Sequence, residues 1–268
     1  MKIIVRATMN KQLLSLFLML WVIISFSPIT LSAKPLEKKT PPLQKQQFKA
    51  LHQCEKKFEY DVHFMGSSVG YLHRTVNWHN TPDLDSAIVT SNGEVSFLWI
   101  DSTYHQQSSL YYSSALQHFL TPNFTQKLTG IKSREMTAEI SKDGLSSTVT
   151  IDDEVHQYQS DQSPLYDLDT LGAQIRLNLL EGKKAFTLLR QASSKVKRYQ
   201  FKVAGIEQLD HEKWGKLSTI KVVEVGKFNE TVLWFSPQHD HQLVKAELDM
   251  IFSPHVWLTH FTIDCENN

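Results

Sequence analysis

Phe58, Tyr60, Val62 and Phe64 alternate with Glu59, Asp61 and His63, the period of two expected of a strand with one buried face. Gly66 to Gly70 turns the chain, and Tyr71 to Trp78 reads as the return strand. After a loop at Asn80 to Asp85, the segments Ser86 to Thr90, Val95 to Asp101 and Gln107 to Tyr112 are rich in β-branched and aromatic residues, as strands are. Pro122 breaks the pattern. Arg134 to Ser141 and Leu145 to Ile151 flank Lys142-Asp143-Gly144, a hairpin signal, and Val155 to Gln159 follows as a short strand. One helix is predicted over 168–181: Asp167 or Asp169 can cap it, Leu168, Leu171, Ile175 and Leu179 form one stripe, and Gly182 suits its end. Strands resume over 185–190, 196–203, 217–225, 231–235, 243–252 and 256–264. The prediction is a mainly β chain: one strongly curved antiparallel sheet, a half-barrel or open barrel of about eleven strands, with one inserted helix covering part of it.

The N-terminus has a different pattern. Lys2, Arg6 and Lys11 precede an apolar run from Leu13 to Phe26, and Leu31-Ser32-Ala33 offers a cleavage site with a large residue at its first position. A spanning helix needs about 20 apolar residues, so residues 1–33 read as a signal peptide and the product as periplasmic or secreted. The alternative is an inner-membrane anchor formed by an uncleaved signal. Residues 34–50 read as a basic, proline-containing disordered arm, and residues 51–268 as a single β-rich domain.

The full chain has 28 basic and 28 acidic residues, and removing the three cations of the signal leaves −3. Five lysines against Glu37 make the arm +4, so the body is near −7. An acidic body argues against nucleic acid, which requires a clustered basic face. The arm reads first as a solvated tether; weak contact with an anionic membrane surface is its functional reading. The two cysteines, Cys54 and Cys265, are expected to pair in an oxidising compartment, closing a loop of 211 residues.

Asp167 to Leu180, the stretch Tyr199-Gln200-Phe201-Lys202-Val203-Ala204-Gly205-Ile206-Glu207, Leu233-Trp234-Phe235-Ser236-Pro237 and Leu243-Val244 together resemble the bacterial envelope family catalogued as domain of unknown function number 3108. The hairpin Tyr60 to Tyr71 fits that family's opening more loosely, and Val244 stands where the family often has proline. The resemblance spans about two thirds of the chain after the signal. It implies a curved antiparallel sheet with a helix against it, similar to periplasmic half-barrels that shuttle or sense lipids, and it implies no reaction.

Gly66-Ser67-Ser68-Val69-Gly70 spells the Gly-x-Ser-x-Gly nucleophile pattern, with Asp240 and His255 downstream. That motif requires a strand-to-helix elbow, whereas Tyr71 to Val76 reads as strand, so a hairpin turn is expected. His239-Asp240-His241 could start a metal site if His211 or Glu212 joined it; the turn reading is preferred. Glu207 lacks the second carboxylate that acid–base chemistry needs. No catalytic set and no cofactor is read from the chain. Aromatic residues lie on nearly every expected strand, and Tyr60, Trp78, Trp99, Tyr199, Phe201 and Trp234 are candidates to line an apolar groove for a lipid or other apolar ligand. Two rivals stand beside that binding role: an envelope scaffold that captures a partner protein at an edge strand, and a hydrolase or metal-dependent enzyme using Ser68 or His239 and His241.

Overall fold

The first strand, β1 (Glu55–Phe64), pairs antiparallel with β2 (Ser67–Asn80) on one side and with the last strand, β16 (His255–Asp264), on the other. The computed structural model describes residues 45–81, 84–97, 100–130, 133–226, 231–248 and 254–265. From β2 the chain meanders through β3 (Asp85–Phe97), β4 (Ile100–Ser113), β6 (Asn123–Leu128), β7 (Arg134–Ile140), β8 (Ser146–Ile151) and β9 (Glu154–Gln159), with β5 (His118–Leu120) folded back on the end of β4. On the other flank run β10 (Leu165–Tyr166), β11 (Ala185–Ala192), β12 (Lys195–His211), β13 (Gly215–Glu224), β14 (Val232–Ser236) and β15 (Gln242–Glu247), which ends beside β16. The described residues thus form one sheet of sixteen strands, not about eleven. Its centre is the meeting of the first and last strands, and its two free edges, β9 and β10, are consecutive in the chain.

Several local features explain these pairings. Met65 and Gly66 both have positive φ, 50° and 81°, the geometry of a tight hairpin between twisted strands. The expected strand Val95 to Asp101 instead straddles two strands, since β3 ends at Phe97 and β4 begins at Ile100. At Gly205 (φ 135°) the pairing of β12 with β13 slips by one residue. This bulge lets one strand of seventeen residues continue past the expected stop at Val203. Pro122 leaves room for β6 directly after it, because an expected break and a new strand start are compatible at a proline.

Helix α2 (Leu168–Leu180) starts at Asp167, whose carboxylate accepts from the backbone N–H groups of Asp169 and Thr170. At its other end the amides of Gly182 and Lys183 bond the carbonyls of Leu179 and Asn178. The sheet wraps round this helix, where a partial cover was expected. Leu171, Ile175 and Leu179 pack with Phe58, Tyr60, Leu188, Phe201 and Leu258, while Leu177 packs on another side with Trp78, Val89, Leu110 and Phe119. Nine of its thirteen residues are buried, Asp169, Gln174, Arg176 and Asn178 among them. A helix buried on most sides carries polar residues only where they bond. Gln174, for instance, accepts from the Phe119 amide at 2.8 Å and donates to Asn178 at 3.0 Å.

A second helix, α1 (Lys45–Leu51), corrects the disordered reading of the arm's last residues. Phe48 is its anchor, stacked on His52 and packed against Tyr112 and Phe119. The remainder of the arm and the signal lie outside the described residues. Cys54 and Cys265 are bonded, with Cα atoms 4.5 Å apart, at the end of the ladder that pairs Glu55 with Asp264.

Candidate functional site

The sheet does not close through a backbone ladder between its free edges, and side chains span the gap. Ser147 of β8 donates to the Gln191 side-chain oxygen of β11 at 2.7 Å, and Arg134 of β7 donates to Ser193 of the β11–β12 turn at 2.6 Å. Phe124, Met136 and Val149 from one flank share a core cluster with Leu165, and Leu189 and Val196 of the other flank pack against it. This seam holds a cavity of about 280 Å3. Phe124, Met136 and Leu168 supply apolar wall; Arg134, Arg190, Lys195 and Lys197 supply positive charge.

Beneath the cavity lies a buried acidic pair. The carboxylate of Asp167 accepts from Thr121 at 3.0 Å, Ser108 at 2.6 Å and Gln106 at 2.9 Å, while that of Asp169 accepts from Ser91 at 3.0 Å and Gln106 at 2.7 Å. Arg74 faces Asp169 at 3.1 Å and also donates to its carbonyl. Burial, then the neighbouring Asp169 charge, push Asp167 above the usual carboxylate range, against the pull of its hydrogen-bond donors. Gln106 connects this pair to the seam, since its side-chain oxygen accepts from Tyr104 and Gln126, and Gln126 accepts from Arg134 at 2.7 Å. A continuous polar chain therefore runs from the N-terminus of α2 to the cavity wall.

A second polar cluster ties α1, β1, α2 and the turn after β14 together. Arg176 donates to the Asp240 carbonyl and carboxylate, each at 2.8 Å, and Lys56 bonds the same carboxylate and the Leu51 carbonyl. His52 donates from Nδ1 to the Phe48 carbonyl at 2.8 Å and accepts at Nε2 from Arg176 at 2.9 Å. Both ring nitrogens are committed, so a second proton would remove the acceptor that Arg176 uses. Burial first, then the Arg176 charge, hold His52 well below its ordinary value. The linkage has a definite sign. Above the unfolded value of about 6.5 both states are neutral and stability is full; as pH falls below it the unfolded ring takes up a proton that the folded one refuses, and stability declines. Urea unfolding at pH 7.5 and 5.5 should therefore show a loss in the native chain that shrinks in His52→Gln, and equal losses in both would rule out His52 as the source.

Four of the candidate groove residues meet in one core cluster, around Leu171, with Tyr60, Phe201 and Trp234 as members and Tyr199 packed against it, while Trp78 lies in another, around Leu177. Burial pushes the Tyr60 phenol up to about 12. Tyr199 is half-buried and stacks on Phe201 at 5.9 Å. Trp234 lies under the ammonium groups of Lys221 (5.3 Å) and Lys245 (4.3 Å) and donates to Glu207 at 3.1 Å. Trp99 falls outside the described residues. The interior that these residues were expected to leave open is occupied by α2.

Ser68 sits in β2 after the hairpin turn, with no helix following it. Asp240 is engaged by Lys56 and Arg176, and His255 faces Glu247 at 3.5 Å. Glu207 is bound by Lys221 at 2.8 Å, which holds its carboxyl below the usual range. In the His239-Asp240-His241 turn, Asp240 and His241 have positive φ. His239 contacts Ser236 and the Trp214 ring, and among the described residues no group of three His, Cys, Asp or Glu side chains is placed to hold a metal.

The cavity residues were not singled out from the sequence, although a signal for them exists. Between Gly182 and Glu207 the chain has seven lysines and arginines and no Asp or Glu. In a body that is otherwise acidic this marks the β11–β12 hairpin as cationic. The inward polar pair Gln106 and Ser108 gives no comparable signal, because polar residues on a strand normally mark its solvent face.

No family model matches the chain, and no curated protein matches it. Among solved structures it is similar to the crystal structure of a predicted exported protein with a YmcC-like fold from Bacteroides fragilis, with 10% identity, a TM-score of 0.34, and coverage of 77% of this chain and 95% of that one.

Proposed function

We propose that this chain is an exported binding domain of the cell envelope and that its ligand site is the seam cavity. The observation that carries this reading is the convergence of side chains from β6, β7, β11, β12 and the first turn of α2 on one polar cavity, in a sheet whose interior is otherwise filled by its own helix. Ligand sites combine an apolar wall with a few convergent polar groups, and this cavity has both. Export itself rests on the N-terminal signal, and the disulfide fits an oxidising compartment. An apolar ligand bound among Tyr60, Trp78 and Phe201 would have to displace α2, so the seam is the better place for ligand than the aromatic interior.

Native mass spectrometry of the full chain, gently purified from its own host, should reveal a small co-purifying mass that disappears in Ala192→Trp, a substitution that fills the cavity from its wall. An unliganded mass from the unsubstituted chain would defeat the proposal. A scaffolding role is the second reading, favoured by β9, a free edge strand with Val155 exposed. If envelope function survives Ala192→Trp but is lost in Val155→Lys, strand capture replaces ligand binding as the reading.

A further inference from the structure

We infer that the seam cavity is an anion site for a phosphate group, carried by a small soluble molecule or by a lipid headgroup, with Arg190 and Arg134 as its main donors and Lys195 and Lys197 at its rim. This rests on the cavity being the ligand site and adds the chemical class of the ligand.

Four observations lead there. Arg190 stands directly opposite Lys197 in the β11–β12 ladder, and like charges in that position repel. Among the described residues the Arg190 side chain makes no hydrogen bond or ion pair, and its buried Nε lacks a partner. Arg134 is aimed by its bonds to Ser193 and Gln126, and its own buried Nε is likewise unmatched. A buried donor without a partner is unfavourable; the two Nε atoms are themselves shielded, but both arginines line the one cavity, where an oxyanion accepts several charge-assisted bonds at once. The neighbouring acids do not neutralise these cations, because Asp167 and Asp169 are turned to Ser91, Ser108, Thr121 and Arg74. The fourth observation is size. A cavity of about 280 Å3 lies at the small end of ligand sites, which suits a phosphate with its nearest substituent and leaves an acyl chain outside.

Calorimetric titration of the full exported chain with inorganic phosphate and with glycerol 3-phosphate provides the test, together with flotation on phosphatidylcholine vesicles with and without phosphatidic acid. Saturable binding is expected, weakening with added salt and by about tenfold in Arg190→Gln; Lys197→Gln, at an exposed position, should give a smaller loss. Arg190→Gln should keep or raise the melting temperature, since it removes a repulsion, so loss of binding there is not loss of fold. Glycerol 3-phosphate binding without vesicle binding assigns a soluble ligand, and flotation that requires phosphatidic acid and fails in Arg190→Gln assigns a headgroup. Absence of saturable binding to every probe, or equal affinity in Arg190→Gln, overturns the anion assignment. If a co-purifying mass is still lost in Ala192→Trp, the cavity remains a ligand site of another class; if no mass is found, both readings fall.

Discussion

Asp240→Asn is expected to destabilise the domain by about 3–5 kcal/mol, the range for removing one partner of a buried ion pair. Asp240 is the carboxylate shared by Lys56 and Arg176, both of which are largely buried. Burial, then the Arg176 charge, draw the Lys56 pKa down, and Asp240 draws it back up. Without that carboxylate two cations face each other and the neutral ring of His52 with no opposing charge. Asparagine keeps the size of the side chain and tolerates the left-handed backbone at this position (φ 53°), so the loss reports charge and not turn geometry. Urea or guanidinium unfolding measures it. Adding Lys56→Met should recover part of the loss through coupling of neighbouring sites, and an Asp240→Asn loss under about 1 kcal/mol would mean that solvent reaches the cluster.

Opening the disulfide should have an effect of similar size. A loop of 211 residues restricts the unfolded chain by about 5 kcal/mol in the chain-entropy treatment, and measured losses for native bonds run from about 2 to 5 kcal/mol. For a domain of this length each kcal/mol shifts the melting temperature by roughly 2–4 °C, so a fall of about 10 °C is expected on reduction or in Cys54→Ser with Cys265→Ser. Calorimetry with and without reductant measures it. A shift under about 2 °C would show that the β1–β16 ladder alone holds the ends together.

How much of this was legible before any coordinates can be seen residue by residue. The alternation from Phe58 to Phe64, the Asp143-Gly144 turn, the Asp167 cap and the pairing of Cys54 with Cys265 are all local signals or the consequence of one chemical type. The strand total was misread at short pieces and at a proline: β5 and β10 are three and two residues long and β6 follows Pro122 directly, none of them expected, while the Val95 to Asp101 segment is shared between β3 and β4. Periodicity marked Tyr60, Phe201 and Trp234 as buried, and they share one cluster, but it does not show what buries a face, and here Leu171, Ile175 and Leu179 of α2 pack into that cluster. The cationic hairpin was visible as an acid-free stretch, but its link to Arg134 depends on the seam, which joins residues about sixty apart in sequence.

Because β16 is the neighbour of β1, a chain synthesised from its N-terminus exposes one side of β1 until the final described strand has been made, about two hundred residues later. Pairing so distant in sequence is slow, and the Cys54–Cys265 bond cannot form until the residues after β16 have been made. The presence of that bond therefore reports that β16 has been made and has reached β1, and a quality-control factor that reads thiol oxidation would distinguish chains cut short before Cys265 from longer ones without inspecting the rest of the fold.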